Sequence, residues 1–159
     1  MFQFIIATPQ HLIPGCICVH HDGDSAVELD ILPDCKHDID IAKNELEESL
    51  VDTFRAYFSS SEQDFMLPIK LQGSEFQHRV WQALQEISIG SVMSYGELAE
   101  KLNSSARAVG NACRRNPLPI IVPCHRVVAK SGIGGFAGAT QGRLIEQKRR
   151  LLAHEGIKL

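Results

Sequence analysis

Pro123-Cys124-His125-Arg126-Val127 concentrates more reactive chemistry than any other run of this chain. A thiolate is the nucleophilic form of cysteine, and a free thiol is mostly protonated at neutral pH. Histidine and arginine beside Cys124 both favour the anion. Pro123 suits the first position of a short helical turn, whose free N–H groups would stabilise a following thiolate further. Single cysteines more often serve packing than chemistry, so the weight of this reading rests on the elements around it.

Those elements are legible from their start signals. Ser74-Glu75-Phe76-Gln77 is a capping box, and Phe76, Val80, Leu84 and Ile87 follow at helical spacing until Gly90. Ser94-Tyr95-Gly96-Glu97 is a second box, opening a short helix through Leu102 with Leu98 and Ala99 inward. Ser105 to Arg115 reads as another helix, stopped by Asn116-Pro117-Leu118-Pro119. A last helix, about 141–154, is basic on one face and ends before Gly156. The pair 94–102 and 105–115 has the dimensions of a helix-turn-helix. Its second helix carries Arg107, Arg114 and Arg115 among the small residues Ala106, Ala108, Gly110 and Ala112. Small side chains let a helix approach a nucleic-acid groove closely, and arginines meet phosphates. The Ile120-Ile121-Val122 run then delivers Cys124 next to that helix. A sulfur nucleophile so near a groove-reading helix suits an enzyme acting on a nucleobase better than a transcription regulator.

The first half reads differently. Short apolar runs near 2–6, 13–19 and 26–31, broken by Pro9, Pro14, Gly15 and Asp22-Gly23, predict a few strands joined by turns. From about Ile41, Leu46, Leu50, Phe54, Tyr57 and Phe58 form a helical stripe, and Ser59–Ser61 onward to Pro68 reads as a linker. The expected fold class is therefore α/β (α+β): a small strand-and-helix lobe over 1–68 and a helical lobe over 69–159. Charge divides the same way. Residues 1–75 carry 4 Lys/Arg against 14 Asp/Glu, and residues 76–159 carry 12 against 5, within a net charge of −3. The second half is the one suited to an anionic partner.

The length of 159 residues suits one domain or two small lobes. No apolar run reaches the length of a membrane span, and Met1–Ile6 is too short for a signal-peptide core. An odd set of five cysteines fits a reducing compartment. These readings lead us to expect a soluble cytoplasmic monomer. Cys16, Cys18 and His20 alternate along a strand, with His21 adjacent; their spacing is tighter than common zinc motifs, so packing cysteines and no bound metal are expected. Cys113 is expected to lie near the site in a structural role.

Colinear motifs across roughly 74–156 resemble the O6-alkylguanine-DNA alkyltransferases. They are Phe76-Gln77 with Val80-Trp81, Ser94-Tyr95-Gly96-Glu97-Leu98-Ala99, Arg107-Ala108-Val109-Gly110, Asn116-Pro117, Ile121-Val122-Pro123-Cys124-His125-Arg126-Val127-Val128 and His154-Glu155-Gly156. The resemblance implies binding of double-stranded DNA through the minor groove, with a flipped O6-alkylguanine beside Cys124. It implies one irreversible transfer of the alkyl group to that sulfur, with no cofactor. By similarity, His125 deprotonates Cys124 through a water, Glu155 orients His125, and Tyr95 hydrogen-bonds the purine. Asn116 ties the recognition helix to the active-site loop and Pro119 walls the pocket. The backbones of Cys124, Val127 and Ala137 read the guanine edges, and Arg107 fills the vacated stack. The turn before Arg107 is short for the family. Arg115 stands where a small residue is usual, Phe136 where tyrosine is frequent and Ala137 where serine occurs. About five extra residues fall near Thr140–Ile145. These departures are expected to alter pocket width and alkyl preference. Three rival readings remain: a non-catalytic alkylated-DNA binder of the same family, which commonly replaces the cysteine; a cysteine hydrolase; and a plain helix-turn-helix regulator.

Overall fold

The structure, a computed structural model, describes residues 1–36, 38–60 and 62–159. Ser61 of the expected linker therefore lies outside the described residues. The chain forms two compact units, Met1–Leu71 and Gln72–Leu159, against the 68/69 boundary expected from sequence.

In the first unit, β1 (Phe2–Ala7), β2 (Cys16–His21) and β3 (Ala26–Leu32) make an antiparallel sheet in the order β1-β2-β3. Gly15 permits its closure. Its φ of +100° suits glycine, and a Cβ there would stand 1.8 Å from the Leu32 carbonyl oxygen. The segment 68–70 adds to the β3 edge, with Ala26 N–H donating to Pro68 O and Lys70 N–H to Ala26 O, both at 2.9 Å. Helix α1 (Glu45–Ser60) starts later and runs longer than its apolar stripe predicts, taking in Ser59 and Ser60 of the expected linker. Its entry is fixed by Asn44 Oδ1, which accepts the Glu47 N–H at 2.9 Å. Leu46, Leu50, Phe54 and Tyr57 are buried, as the period of the stripe requires. Cys16 and Cys18 pack with Ile5 and Leu32, while His20 turns to Asp30 at 3.0 Å and His21 faces Glu47 at 3.2 Å. Alternation keeps Cys18 Sγ 3.8 Å from His20 Nε2 on one face, and a bulge lies between His20 and His21.

The second unit opens with α2 (Glu75–Gln85), and both reciprocal bonds of its Ser74/Gln77 capping box are present. Its buried Trp81 donates Nε1–H to the Ala112 carbonyl at 2.9 Å. The two-residue strand β4 (Met93–Ser94) leads into α3 (Tyr95–Lys101), capped by a complete Ser94/Glu97 box. Asn103, with φ of +51°, makes the turn to α4 (Ala106–Arg114), which Ser105 caps. A loop brings the chain to a 3₁₀ turn (Cys124–Arg126) and to β5 (Val127–Val128), which pairs in parallel with β4. Helix α5 (Arg143–His154) starts two residues later than expected, behind Gly142, and closes the unit.

A buried polar contact joins the 3₁₀ turn to the end of α5. Arg126 donates from Nε to Glu155 Oε2 at 2.8 Å and from Nη2 to Oε1 at 3.1 Å, and its Nη1 reaches the Ile87 carbonyl at 2.6 Å. His125 Nε2 lies 2.7 Å from Glu155 Oε1. Burial alone would raise the Glu155 pKa, but hydrogen bonds and charge from His125 and Arg126 outweigh it and hold the carboxyl down at about 2.

Three outcomes follow. Trp81→Phe removes the indole donor that anchors α4 and is expected to cost about 1 kcal/mol, read as a Tm lower by about 5 °C in calorimetry. Because the folded Glu155 pKa lies below its unfolded value, its stabilisation is complete above the ordinary carboxyl range and is lost as pH falls from 4.5 toward about 2. Denaturant titrations across that interval should register the loss. Glu155→Gln should remove about 3 kcal/mol at neutral pH and flatten that acid limb.

Candidate active site

Cys124 opens onto a cavity of about 190 Å³ lined by Tyr95 from α3, Gly110, Cys113 and Arg114 from α4, and the loop Gly135–Thr140. Both helices of the pair thus reach the same space as the sulfur. Local geometry explains why the thiol points there. Asn116 Nδ2 donates to the Val122 carbonyl at 2.8 Å and Asn116 Oδ1 accepts the Leu118 N–H at 3.0 Å. The loop between α4 and Cys124 is folded over that one side chain. Ile120 within it holds φ of +75°, an unfavourable conformation for a β-branched residue.

The sequence reading places Pro123 inside a helical turn. In the structure it precedes the turn, with φ of −80° and ψ of 64°, and the turn is three residues long. So short a turn has little dipole to offer. The sequence reading has His125 and Arg126 favour the Cys124 anion; in the structure His125 engages Glu155, the partner the resemblance implies, and Arg126 engages the same carboxylate. Burial raises the Cys124 pKa, opposed by a hydrogen bond from Asn116, the charge of Lys148 and a backbone hydrogen bond. At rest the sulfur is a protonated thiol. Burial also lowers the His125 pKa, with Glu155 opposing, so the imidazole is poised neutral. Its Nε2 faces the carboxylate and carries the proton, which leaves Nδ1 as the basic atom. Nδ1 is buried and has no hydrogen-bond partner among the described residues.

Tyr95 sits over the other side of the cavity, donating its hydroxyl to the Gly135 carbonyl at 3.2 Å. Burial, reinforced by Cys113 and Cys124, raises its pKa to about 12, so the phenol remains a donor at neutral pH. Gly134 makes room for it, since a Cβ there would stand 2.9 Å from Tyr95 Cε2. The rim loop is closed by reciprocal Phe136–Ala139 backbone bonds at 2.9 Å, with Ala137 at its tip in a left-handed φ of +49°.

Of the remaining expected site residues, Ala137 and Arg114 line the cavity, and Arg114 lies against Gly138 across its mouth. Pro119 and Val127 are not among the lining residues. Pro119 is held in a turn bridged to Val122, and Val127 is buried with its carbonyl engaged by Lys148. Ala106, Arg107 and Arg115 are exposed on or beside α4, outside the cavity lining.

Sequence reasoning missed Lys148. This residue is wholly buried, donating from Nζ to the Val127 carbonyl at 2.5 Å and to Gly135 at 2.8 Å. Burial lowers its pKa to about 8, against the opposing pull of Cys124 and Cys113. One signal was present in the chain: Ile145, Lys148, Leu151 and Leu152 share a helical stripe, placing a lysine among apolar residues. Among the described residues, no group of three or more His, Cys, Asp or Glu side chains is arranged to hold a metal. No helix among them is long and apolar enough to cross a membrane.

The family profile of the 6-O-methylguanine DNA methyltransferase DNA-binding domain matches residues 75–157. A methylated-DNA–protein-cysteine methyltransferase of Sulfolobus acidocaldarius is 36% identical over 145 residues, covering 91% of this chain and 89% of that protein. One of Mycolicibacterium paratuberculosis is 45% identical over 108 residues, covering 66% of this chain but 62% of the relative's length. The crystal structure of Mycobacterium tuberculosis OGT in complex with DNA superposes with a TM-score of 0.78 at 31% identity, covering 97% of this chain and 92% of that one. With the Cys124 cavity, the His125–Glu155 pair and these matches together, the chain belongs to the 6-O-methylguanine DNA methyltransferase family.

Proposed function

We propose that this protein repairs O6-alkylguanine in double-stranded DNA by moving the alkyl group, once, onto its own Cys124. The observation that carries the reading is the thiol's position: it opens on a cavity bounded by α4 and is followed in sequence by a histidine locked to a buried carboxylate. A cavity of this kind can receive a base only after the base leaves the stack. In this reading α3 and α4 act as a helix-turn-helix entering the minor groove. Ala106 allows close approach, Arg107 occupies the vacated space, and Arg114 and Arg115 meet phosphates. The relative of known structure carries DNA, which supports the same partner here.

The chemistry follows from the protonation states. His125 Nδ1 takes the Cys124 proton through one water, and Glu155 stabilises the resulting imidazolium. The sulfur lone pair forms an S–C bond to the alkyl carbon as the C–O6 bond breaks, its electrons returning to the purine. Tyr95, a protonated phenol, donates a hydrogen bond to the ring and offsets the developing charge. Backbone groups of Cys124 and Ala137, which line the cavity, read the guanine edges, Pro119 backs the loop that presents Cys124, and Asn116 joins that loop to α4. A thioether does not reverse under these conditions, so each molecule acts once. The electron pair comes from sulfur, and the step as written balances without a cofactor. Buried free thiols at Cys16, Cys18, Cys113 and Cys124 fit a cytoplasmic setting, and we infer a monomer acting there.

Intact-mass analysis after incubation with a duplex containing one O6-methylguanine tests the reading. One methyl group should appear per protein, mapped to Cys124; repeated turnover, or no adduct, sinks it. Cys124→Ala should bind the same duplex and gain no methyl, which distinguishes transfer from recognition alone. Gly134→Ala, which forces Tyr95 aside, should slow transfer about 100-fold with little change in duplex affinity, measured by single-turnover quench.

A further inference from the structure

The Gly135 carbonyl takes two donors, Lys148 Nζ at 2.8 Å and the Tyr95 hydroxyl at 3.2 Å. A phenol has one proton, so it cannot serve this carbonyl and a bound purine together. Leaving a partly buried carbonyl without a donor costs more than an exchanged hydrogen bond returns. Lys148 removes that cost, because its ammonium keeps Gly135 satisfied while the hydroxyl is elsewhere. The same ammonium is anchored on the Val127 carbonyl at 2.5 Å, so the rim glycine stays fixed to β5 during the exchange. It also stands 5.9 Å from the centroid of the Tyr95 ring, where a cation strengthens the phenol as a donor.

We propose that Lys148 is a positioning residue for Tyr95: it holds the Gly135 carbonyl so that the phenol can exchange that carbonyl for the extruded purine. The inference rests on the alkyl-transfer reading of the same site. The groups facing the ammonium are the thiols of Cys124 from the 3₁₀ turn and Cys113 from α4, the Tyr95 phenol from α3, and the imidazole of His125, which feels its charge. Both thiols are pushed up by burial, so neither competes at rest as an anion for Lys148. A lysine that only braced the rim would act on every step alike. One that serves the phenol acts only where the phenol does.

A double-mutant cycle separates these roles. Single-turnover transfer from an O6-methylguanine duplex is measured at saturating protein for the wild type, Lys148→Met, Tyr95→Phe and the double variant, with duplex Kd and Tm followed alongside. The expected result is a K148M rate about 10- to 100-fold below wild type at unchanged Kd, and a double variant no slower than Y95F alone. Lys148→Gln keeps an N–H donor without the charge. It should recover part of the K148M loss, and its cycle with Y95F decides the question if K148M does not fold. Losses that multiply in both cycles, or a K148M rate equal to wild type, overturn the proposal. Wild-type protein that acquires no adduct on Cys124 overturns the reading of the site instead, so the two failures are distinguishable.

Discussion

A single buried carboxylate organises the second unit. Glu155 accepts two hydrogen bonds from Arg126 and faces His125 with the oxygen it shares between them. Three ionisable groups withdrawn from water would be a severe cost if any were unpaired. Here each answers another, and Arg126 turns its other terminal nitrogen, Nη1, to the Ile87 carbonyl after α2. The carboxylate thereby links the turn that presents Cys124 to both the first and the last helix of its unit. It also fixes which imidazole nitrogen is left basic. Removing Glu155 would therefore disturb the fold and, in the proposed reaction, the proton transfer through His125 at once.

Around that anchor the cavity is assembled from separate pieces of chain. The β4–β5 pairing sets Ser94, the cap of α3, beside Val128, two residues beyond the 3₁₀ turn. Asn116 folds the loop that leaves α4 back onto Val122. The helix pair is thus attached to the sulfur's backbone at its start and at its finish. Residues of both α3 and α4 line the same cavity as the thiol, and the proposed delivery of an extruded base relies on that arrangement.

Much of this was legible because it is local. The capping boxes at Ser74/Gln77 and Ser94/Glu97 need four adjacent residues and formed as written. The apolar stripe of α1 identified its buried face, although not its ends, since the final turn depends on what packs against it. The motif around Cys124 was recognisable and the resemblance gave His125 its partner Glu155, yet the direction of Arg126 was not legible. Arg126 and His125 turn to a carboxylate about thirty positions away, which no local pattern encodes. The same reason hid the two-residue β4–β5 pairing and the part played by Lys148, whose partners are carbonyls of Val127 and Gly135. Carbonyls carry no side-chain signature. In the first unit, alternation correctly put Cys16, Cys18 and His20 along one face, but Asp30 claims the histidine and the cysteines join Ile5.

The segment bordering the cavity has a further property. Gly132, Gly134, Ala137 and Gly138 all hold left-handed φ angles, 152°, 72°, 49° and 84°. The contour of the aperture is thus written in main-chain handedness instead of side-chain bulk. Gradual tailoring by enlarging one residue at a time is poorly suited to such a border, because ordinary L residues resist those angles. Changes in what the aperture admits are more readily made by lengthening or shortening the segment, or from the opposite wall at Gly110 and Cys113, where the backbone is plain helix.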